Sequence, residues 1–442
     1  MMSSEPSSSP HQEWPRISAP PRLVASTGNT YHGSIFRTAL RENAEGPTPT
    51  SGGRARNPFN GSESNLFKSV QWTPDGTTLL THSEDDGLRT FILPPDLLSA
   101  SETALVPYCT TFTSSRVFAT AIYPLANISQ PESFIYLCSP RGEPIRLHSL
   151  LHPGLLSSYP LINPNTEVFE TPYSLLIPSN TPNSFLAGTN NQISIFDLHR
   201  CGDGPVTVLK TTPARHAPAT TTTMKGLVTA MALSDGMLAA GTNTRQVGLY
   251  AGDGGGEVIG VFTLPPDHEK VGRGVTGLSW SACGRYLYIA ERRSDVVSVY
   301  DIRVTGHRVA SLCGRAAGTN QRLGVDVATG LDGEVVAGGT DGVVRIWKGG
   351  EEGGGESVGA WQAHQDVVSS AVVHPFGSVV ATCSGSRKTF GLGNRVSDDS
   401  SSSGSSGSGG EEEEEDQDNK GLWDNSLKVW EIPSSRITDQ SP

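Results

Sequence analysis

The chain has 442 residues, a formal net charge of −12, 50 glycines, 30 prolines and only 18 % charged residues. That length exceeds what one small core requires, and the Gly and Pro load without long stretches at helical period excludes a helical bundle in favour of many short strands. No run of about 18 apolar residues occurs, which excludes a helical membrane span; the acidic whole excludes a global basic footprint for nucleic acid, so any such surface is local.

The start, MMSSEPSSSP, has neither a basic n-region nor an apolar h-region, so no secretory signal is expected. Residues 1–20 are Ser/Pro-rich and read as a disordered tail. An N-terminal segment, 21–61, holds a candidate strand at Arg22-Leu23-Val24-Ala25, then a Pro/Gly/Ser-rich loop from Ala44 to Gly61. From there the chain repeats. Its opening strands are SVQWTPDGTTLLT from Ser69, VTAMALSDGMLAAG from Val228, VTGLSWSACGRYLYIA from Val275 and VVSSAVVHPFGSVVATCS from Val367. Each pairs a half-buried strand with a Pro/Asp/Gly turn and an apolar second strand.

The closing strand of each unit recurs seven times: Leu88–Leu93, Ile145–Leu150, Ile193–Leu198, Val247–Gly252, Val297–Ile302, Val344–Gly349 and Leu427–Ile432. Most copies are about 50 residues apart. The clearest unit runs from Leu323 to Trp347. Its turns use Asp332-Gly333 and Asp341-Gly342, and its last strand alternates, with Val344 and Ile346 on one face and Val343, Arg345 and Trp347 on the other. One such meander cannot bury both faces alone and needs neighbours of its own kind. Six scattered cysteines without CxxC spacing read as reduced, mostly buried small hydrophobes of an intracellular protein, not as zinc ligands, and the sequon at Asn127 is then expected to stay unused.

The Gly-rich connections Ala251–Gly260 and Lys348–Gly359 are flexible linkers. The largest interruption, 386–424, is expected to be a disordered acidic insertion between the second and third strands of the last unit. Gly391–Asn425 carries ten acids against two bases. A C-terminal tail, 435–442, follows the last unit.

These repeats resemble the WD40 repeat: a first strand, an SPDG-like turn, an LAAG-like strand, a turn with Asp, then VxxWD. Only Trp347 and Trp430 keep the closing Trp. The resemblance implies an all-β, seven-bladed WD40 β-propeller over 62–434, in which radial sheets leave only short, protected edges and the N-terminal strand completes the last blade. Four further stretches resemble the telomerase Cajal body protein 1 family: LFKSVQWTPDGTTLLTHSEDDGLRTFILPPDLL from Leu66, SPRGEPIRLHSL from Ser139, Thr319-Asn320-Gln321-Arg322, and His374-Pro375 with Ala381 to Arg387, just before the acidic insertion. The chain departs from the family at Leu147-His148, where Trp-Asp would stand, in Pro153–Glu170, and in its short N-terminal region.

The resemblance implies a non-catalytic nuclear scaffold, Cajal body-like or nucleoplasmic and also cytoplasmic. It would bind small nuclear RNA of the box H/ACA class, including telomerase RNA, with its RNP proteins, and direct RNP localisation or assembly. A fungal branch is tied to pre-mRNA splicing. The alternative is a protein–protein interaction propeller, a signalling or ubiquitin-ligase adaptor, without RNA. No cofactor, metal or membrane partner is expected, and the chain is expected to be a monomer.

RNA loops are read by stacking, by hydrogen bonds to splayed bases and by Arg forks on phosphate. The RNA or partner candidates are therefore Asn320, Gln321, Arg322, Arg387, Arg141, Arg292 and Arg293, all in turns or loops at strand ends. His364, Asp341, Trp347 and Trp430 are assigned to structural networks, and Trp72 and Trp280 to packing between blades. Gly272-Arg273-Gly274-Val275-Thr276-Gly277 fits G-x-G-x-x-G, but a strand follows it where a nucleotide site requires a helix. No nucleophile elbow, HExxH or phosphate loop is present.

Overall fold

The computed structural model describes residues 20–28, 65–99, 101–212, 223–266, 272–304, 306–328, 333–349, 354–377, 379–386 and 424–432. Most of the expected N-terminal tail, the body of the insertion from 387 to 423, the C-terminal tail and Arg387 lie outside these residues. Among the described residues there is no α-helix, only two 3₁₀ turns at Pro131–Ser133 and Gly252–Gly254, and no helix is long and apolar enough to cross a membrane.

The chain folds into seven antiparallel sheets, the blades of a propeller. All seven closing runs become third strands: Gly87–Ile92, Ile145–Ser149, Gln192–Asp197, Gln246–Ala251, Val297–Asp301, Val343–Trp347 and Leu427–Glu431. Their alternation works because the two faces of each strand serve different seams. Val344 and Ile346 pack against Trp361, Val368 and Ala371 toward blade 7, whereas Trp347 joins Tyr286, Tyr288 and Val297 of blade 5. One apolar cluster fills each of the seven seams. Trp72 lies in the seam of blades 7 and 1, edge-on to His374, and Trp280 packs partly buried between blades 4 and 5.

Blade 7 closes the ring. Its outer strand is Arg22–Ser26, paired antiparallel with Leu427–Glu431 through Arg22↔Glu431 and Ser26↔Lys428. The connector from blade 1 then reaches back, and Thr103–Ala104 adds a short parallel fifth strand on Ala25 and Ser26. Arg22 donates to the Leu98 carbonyl at 2.7 Å, and Leu97 and Leu105 are buried with Val24 and Ala25.

A second sealing device repeats in the first strands. Blades 1, 2, 4, 5 and 7 carry a bulge near the start of that strand, which bends it sharply. In two of them a bulge hydroxyl crosses the seam: Thr229 donates to the Val275 carbonyl and Ser369 to the Phe67 carbonyl at 2.6 Å. The cysteines are all free, and Cys109, Cys138 and Cys383 are buried as expected. Cys201 and Cys283 are exposed instead, because both sit in surface turns; Cys283 holds the turn position that Asp75 holds in blade 1.

Candidate nucleic-acid interface

In an up-and-down sheet the turn between second and third strands and the loop into the next blade open at the same end. Arg141, Arg292, Arg293, Asp341 and Asn320 to Arg322 are all at that end, in blades 2, 5 and 6. Local backbone chemistry presents them. The second-to-third turns need a left-handed residue, and Arg245 and Arg293 adopt it with φ of 66° and 58°. Both are non-glycine residues in a region that glycine fills more cheaply.

Two hydrogen bonds stitch the blade 5 turn to the loop into blade 6. The Arg315 amide donates to the Asp295 carbonyl at 3.0 Å, and the Ala317 amide to Asp295 Oδ1 at 2.6 Å. This places Arg292 and Arg293 beside Thr319–Arg322. Gln321 is held by the opposite neighbour: its Nε2 donates to the Gly385 carbonyl of blade 7 at 3.0 Å. Gly385 has φ +137°, and a Cβ there would lie 2.6 Å from the Leu66 Cβ, so this anchor requires glycine. Gln321 thus spends its amide on the scaffold, while Asn320 and Arg322 are exposed with no side-chain partner among the described residues.

Arg292, Arg293 and Arg322 share that lack of a partner, and Arg292 and Arg293 are also exposed. Arg322 reaches solvent but is crowded by protein; this desolvation, and then the Arg292 charge, pull its pKa below the ordinary arginine value. Two further bases extend the surface, Lys225 in the loop into blade 4 and Arg273 in the loop into blade 5, both exposed. Sequence reasoning missed them. The signal for Arg273 was its glycine flanks: a Cβ on Gly272 would meet Glu291 at 2.6 Å, and one on Gly274, at φ +98°, would meet the Asn243 Cα at 2.7 Å. The G-x-G pattern therefore marks a squeezed loop that thrusts an arginine outward. The acids here are taken up by other bases: Glu291 is buried under Arg245, 2.6 Å away, and Asp341, exposed in its turn, pairs with Arg345 at 2.6 Å. Among the described residues, the outward charges without an opposite partner over blades 4 to 6 form a basic crescent.

Arg141 does not join it. Blade 2 lies away around the ring, and its side of the same end is charge-balanced, with Lys68 and Arg116 both on Glu84 at 2.9 Å. The structure also divides the four network candidates. His364, 1 % exposed, sits at the centre of one chain of bonds. Trp430 Nε1 donates to Thr382 Oγ1 at 2.9 Å, Thr382 lies 2.7 Å from His364 Nε2, and His364 Nδ1 lies 3.2 Å from Asp424 Oδ1. Burial pulls His364 below its ordinary pKa, so it is neutral. Burial alone would raise Asp424, yet hydrogen bonds from His364, Ser426 and the Gln365 amide hold it well below the carboxylate range. Asp341 and Trp347 stand outside this chain: Trp347 Nε1 donates to the Cys313 carbonyl at 3.0 Å. Asp424 was missed, although Asp85–Arg89, Asp341–Arg345 and Asp424–Lys428 are the same acid-then-base pair at i and i+4.

No family model matches the chain. It is 29 % identical over 292 residues to Guanine nucleotide-binding protein negative regulator 1 of Schizosaccharomyces pombe, covering 64 % of this chain and 71 % of that protein. It is 28 % identical over 340 residues to Telomerase Cajal body protein 1 of Mesocricetus auratus, covering 74 % of this chain and 60 % of that protein. Against the Homo sapiens protein of the same name it is 27 % identical over 339 residues, 74 % of this chain and 58 % of that one. The chain thus spans under two thirds of the length of the mammalian relatives. It is a WD40-type propeller distantly related to these proteins.

Proposed function

We propose that this protein is a non-catalytic scaffold of a nuclear ribonucleoprotein. The crescent formed by Lys225, Arg273, Arg292, Arg293 and Arg322 holds the phosphate backbone of a small structured RNA of the box H/ACA type, and Asn320 offers its amide to a base edge. Arg387, two residues after the Gly385 that anchors Gln321, belongs to the same grip. The RNP's own proteins dock on other faces of the ring, and the complex resides in Cajal body-like or nucleoplasmic sites. The observation that carries this reading is the set of exposed cations gathered on one end of a chain with net charge −12. Mutual repulsion makes such a cluster unfavourable unless an anion relieves it. The mammalian relatives, named for telomerase and the Cajal body, supply the class of partner.

Crosslinking the protein to RNA in its own cells and sequencing the RNA tests the reading; an enriched small nuclear RNA is expected. In vitro, replacing Arg292, Arg293 and Arg322 together by Gln is expected to flatten the slope of log affinity against log salt by about 0.7 per lost single-strand phosphate contact. An unchanged slope in a folded variant would remove these residues from the interface.

A second reading has its own support. The fission yeast relative is named as a negative regulator of a guanine nucleotide-binding protein, which favours a signalling adaptor that binds protein alone. It predicts no crosslinked RNA, and a partner whose capture survives RNase.

A further inference from the structure

The seam of blades 5 and 6 differs from the rest of the crescent in depth. Beneath the loop that carries Asn320 and Arg322 lies Arg315, only 1 % exposed. Its Nη2 donates to the Gly324 carbonyl at 2.9 Å, and its Nε has no hydrogen-bond partner among the described residues. The loop that covers it is pinned at both ends, by Asp295 of blade 5 and through Gln321 by Gly385 of blade 7. Thr340 of the blade 6 turn adds two more bonds, its amide and its hydroxyl both reaching the Ala316 carbonyl at 2.8 Å. Arg322 and Arg292 stand above on this rigid frame.

Charge counting then separates two occupants. The seam holds the cations Arg292, Arg315 and Arg322, and the carboxylate that acts on Arg315 is Asp295. Of the other described acids nearby, Glu291 pairs with Arg245 and Asp341 with Arg345, and Asp366 lies on the blade 7 side, accepting from the Val367 amide at 2.8 Å and the Ser386 hydroxyl at 2.9 Å. Asp326 turns toward blade 7 and accepts from the Val373 amide at 2.8 Å. Among the described groups of this seam, Arg292, Arg315 and Arg322 against Asp295 leave two positive charges over. An internal phosphodiester brings one negative charge, whereas a phosphate monoester brings about 1.5 to 2 near neutral pH and three acceptor oxygens suited to two arginine forks.

We infer that the blade 5–6 seam, through Arg292 and Arg322 with Arg315 beneath, takes the terminal phosphate of an RNA strand in preference to an internal phosphodiester. The inference rests on the RNA reading above and adds the recognition of a chain end to it. A 5′ and a 3′ phosphate share this chemistry, so the test carries both.

The full chain is titrated with a single-stranded RNA of about ten nucleotides in three forms: hydroxyl at both ends, 5′-phosphate and 3′-phosphate. One phosphorylated form is expected to bind at least about tenfold more tightly than the hydroxyl form, the range of one charged hydrogen bond. Inorganic phosphate should compete away that excess and little else. Arg322→Gln and, separately, Arg292→Gln should each abolish the excess, with melting checked against the parent. Arg200→Gln, at the opposite end of the ring, should keep it. Equal binding of all three RNAs overturns the inference and leaves the RNA reading standing. No binding of any form at low salt overturns both. An excess that survives in both Arg322→Gln and Arg292→Gln places the phosphate elsewhere and overturns the assignment.

Discussion

Asp424 shows what one side chain at the edge of a long insertion does for a whole blade. It is 2 % exposed and accepts from His364, Ser426, Ser384 and Lys428 Nζ, the last at 3.0 Å. Asp424→Ala strands the buried Lys428 ammonium without its carboxylate, and breaking such a pair costs about 3–5 kcal/mol. Denaturant unfolding is expected to show a loss of that size, whereas Arg200→Gln, in an exposed pair, should change stability by under about 1 kcal/mol. The same site sets the acid response. His364 has a folded pKa below its ordinary 6.5, so the unfolded chain protonates first and stability is lost as pH falls below 6.5. Asp424 is also depressed from 3.8, so its contribution is present above that value and lost below it. Asp326 runs the other way. Burial raises it to about 6 against the hydrogen bonds from Val373 and Val327, so its contribution is present below its ordinary value and lost as pH rises through about 6. Melting curves across pH should therefore show Asp326→Asn penalised more at pH 5 than at pH 7.5. A penalty that does not vary with pH would contradict the raised pKa.

At the scale of elements, ring closure depends on five residues near the start of the chain. Arg22–Ser26 covers the outer edge of blade 7, with Val24 and Ala25 fully buried. Deleting residues 1–26 is expected to lower the melting temperature well beyond the effect of deleting 1–19, because it opens both the strand edge and the seam to blade 1. The insertion is expected to behave differently. Its anchors meet through the Ser384 amide on the Ser426 carbonyl at 3.0 Å, so a short turn can span them. Replacing residues 387–423 by a four-residue turn while keeping Asp424 should preserve folding and stabilise by about 2 kcal/mol through loop-closure entropy. A large loss would mean that the insertion contributes packing. The elements also differ in how visible they are from sequence. Third strands are buried on both faces and so alternate cleanly between two seams. Fourth strands such as Thr207–Lys210 are largely exposed, and Leu155–Tyr159 buries only Tyr159 fully; neither has a face that is forced to be apolar along its length, and no period marks them. The two-residue strand Thr103–Ala104 is too short to carry any pattern.

At the scale of the molecule, seven seams each filled by its own cluster make a ring whose stability is shared. Trp347→Ala, which empties one seam, should cost about 3–5 kcal/mol, read as a shift of the whole unfolding transition, since a propeller opened at one seam exposes its neighbours. The ring also polarises the charge. Around blades 1 and 2, Lys68, Arg116 and Arg146 are paired with Glu84 and Glu143. Around blades 4 to 6, Glu291 and Asp341 pair with Arg245 and Arg345, and the exposed bases Lys225, Arg273, Arg292, Arg293 and Arg322 have no carboxylate partner among the described residues. A net-acidic chain can therefore attract a polyanion on one arc. The RNA binding proposed above should accordingly weaken steeply as salt is raised, with melting unchanged.

The amino-acid order by itself determined the repeat, its number of copies and its tight turns, because alternation, Asp-Gly punctuation and closing aromatics are local properties that a strand must satisfy wherever it lies. It also marked the loop at Asn320 to Arg322 and the turn at Arg292 and Arg293. Only the tertiary structure decided which bases stand together. Arg273 and Lys225 join the crescent, Arg141 is left on a neutralised arc, and Gln321 is claimed by Gly385, because these outcomes depend on which blade lies beside which once the ring has closed. Charge acts through space, and distance in space is the quantity that a linear order does not contain.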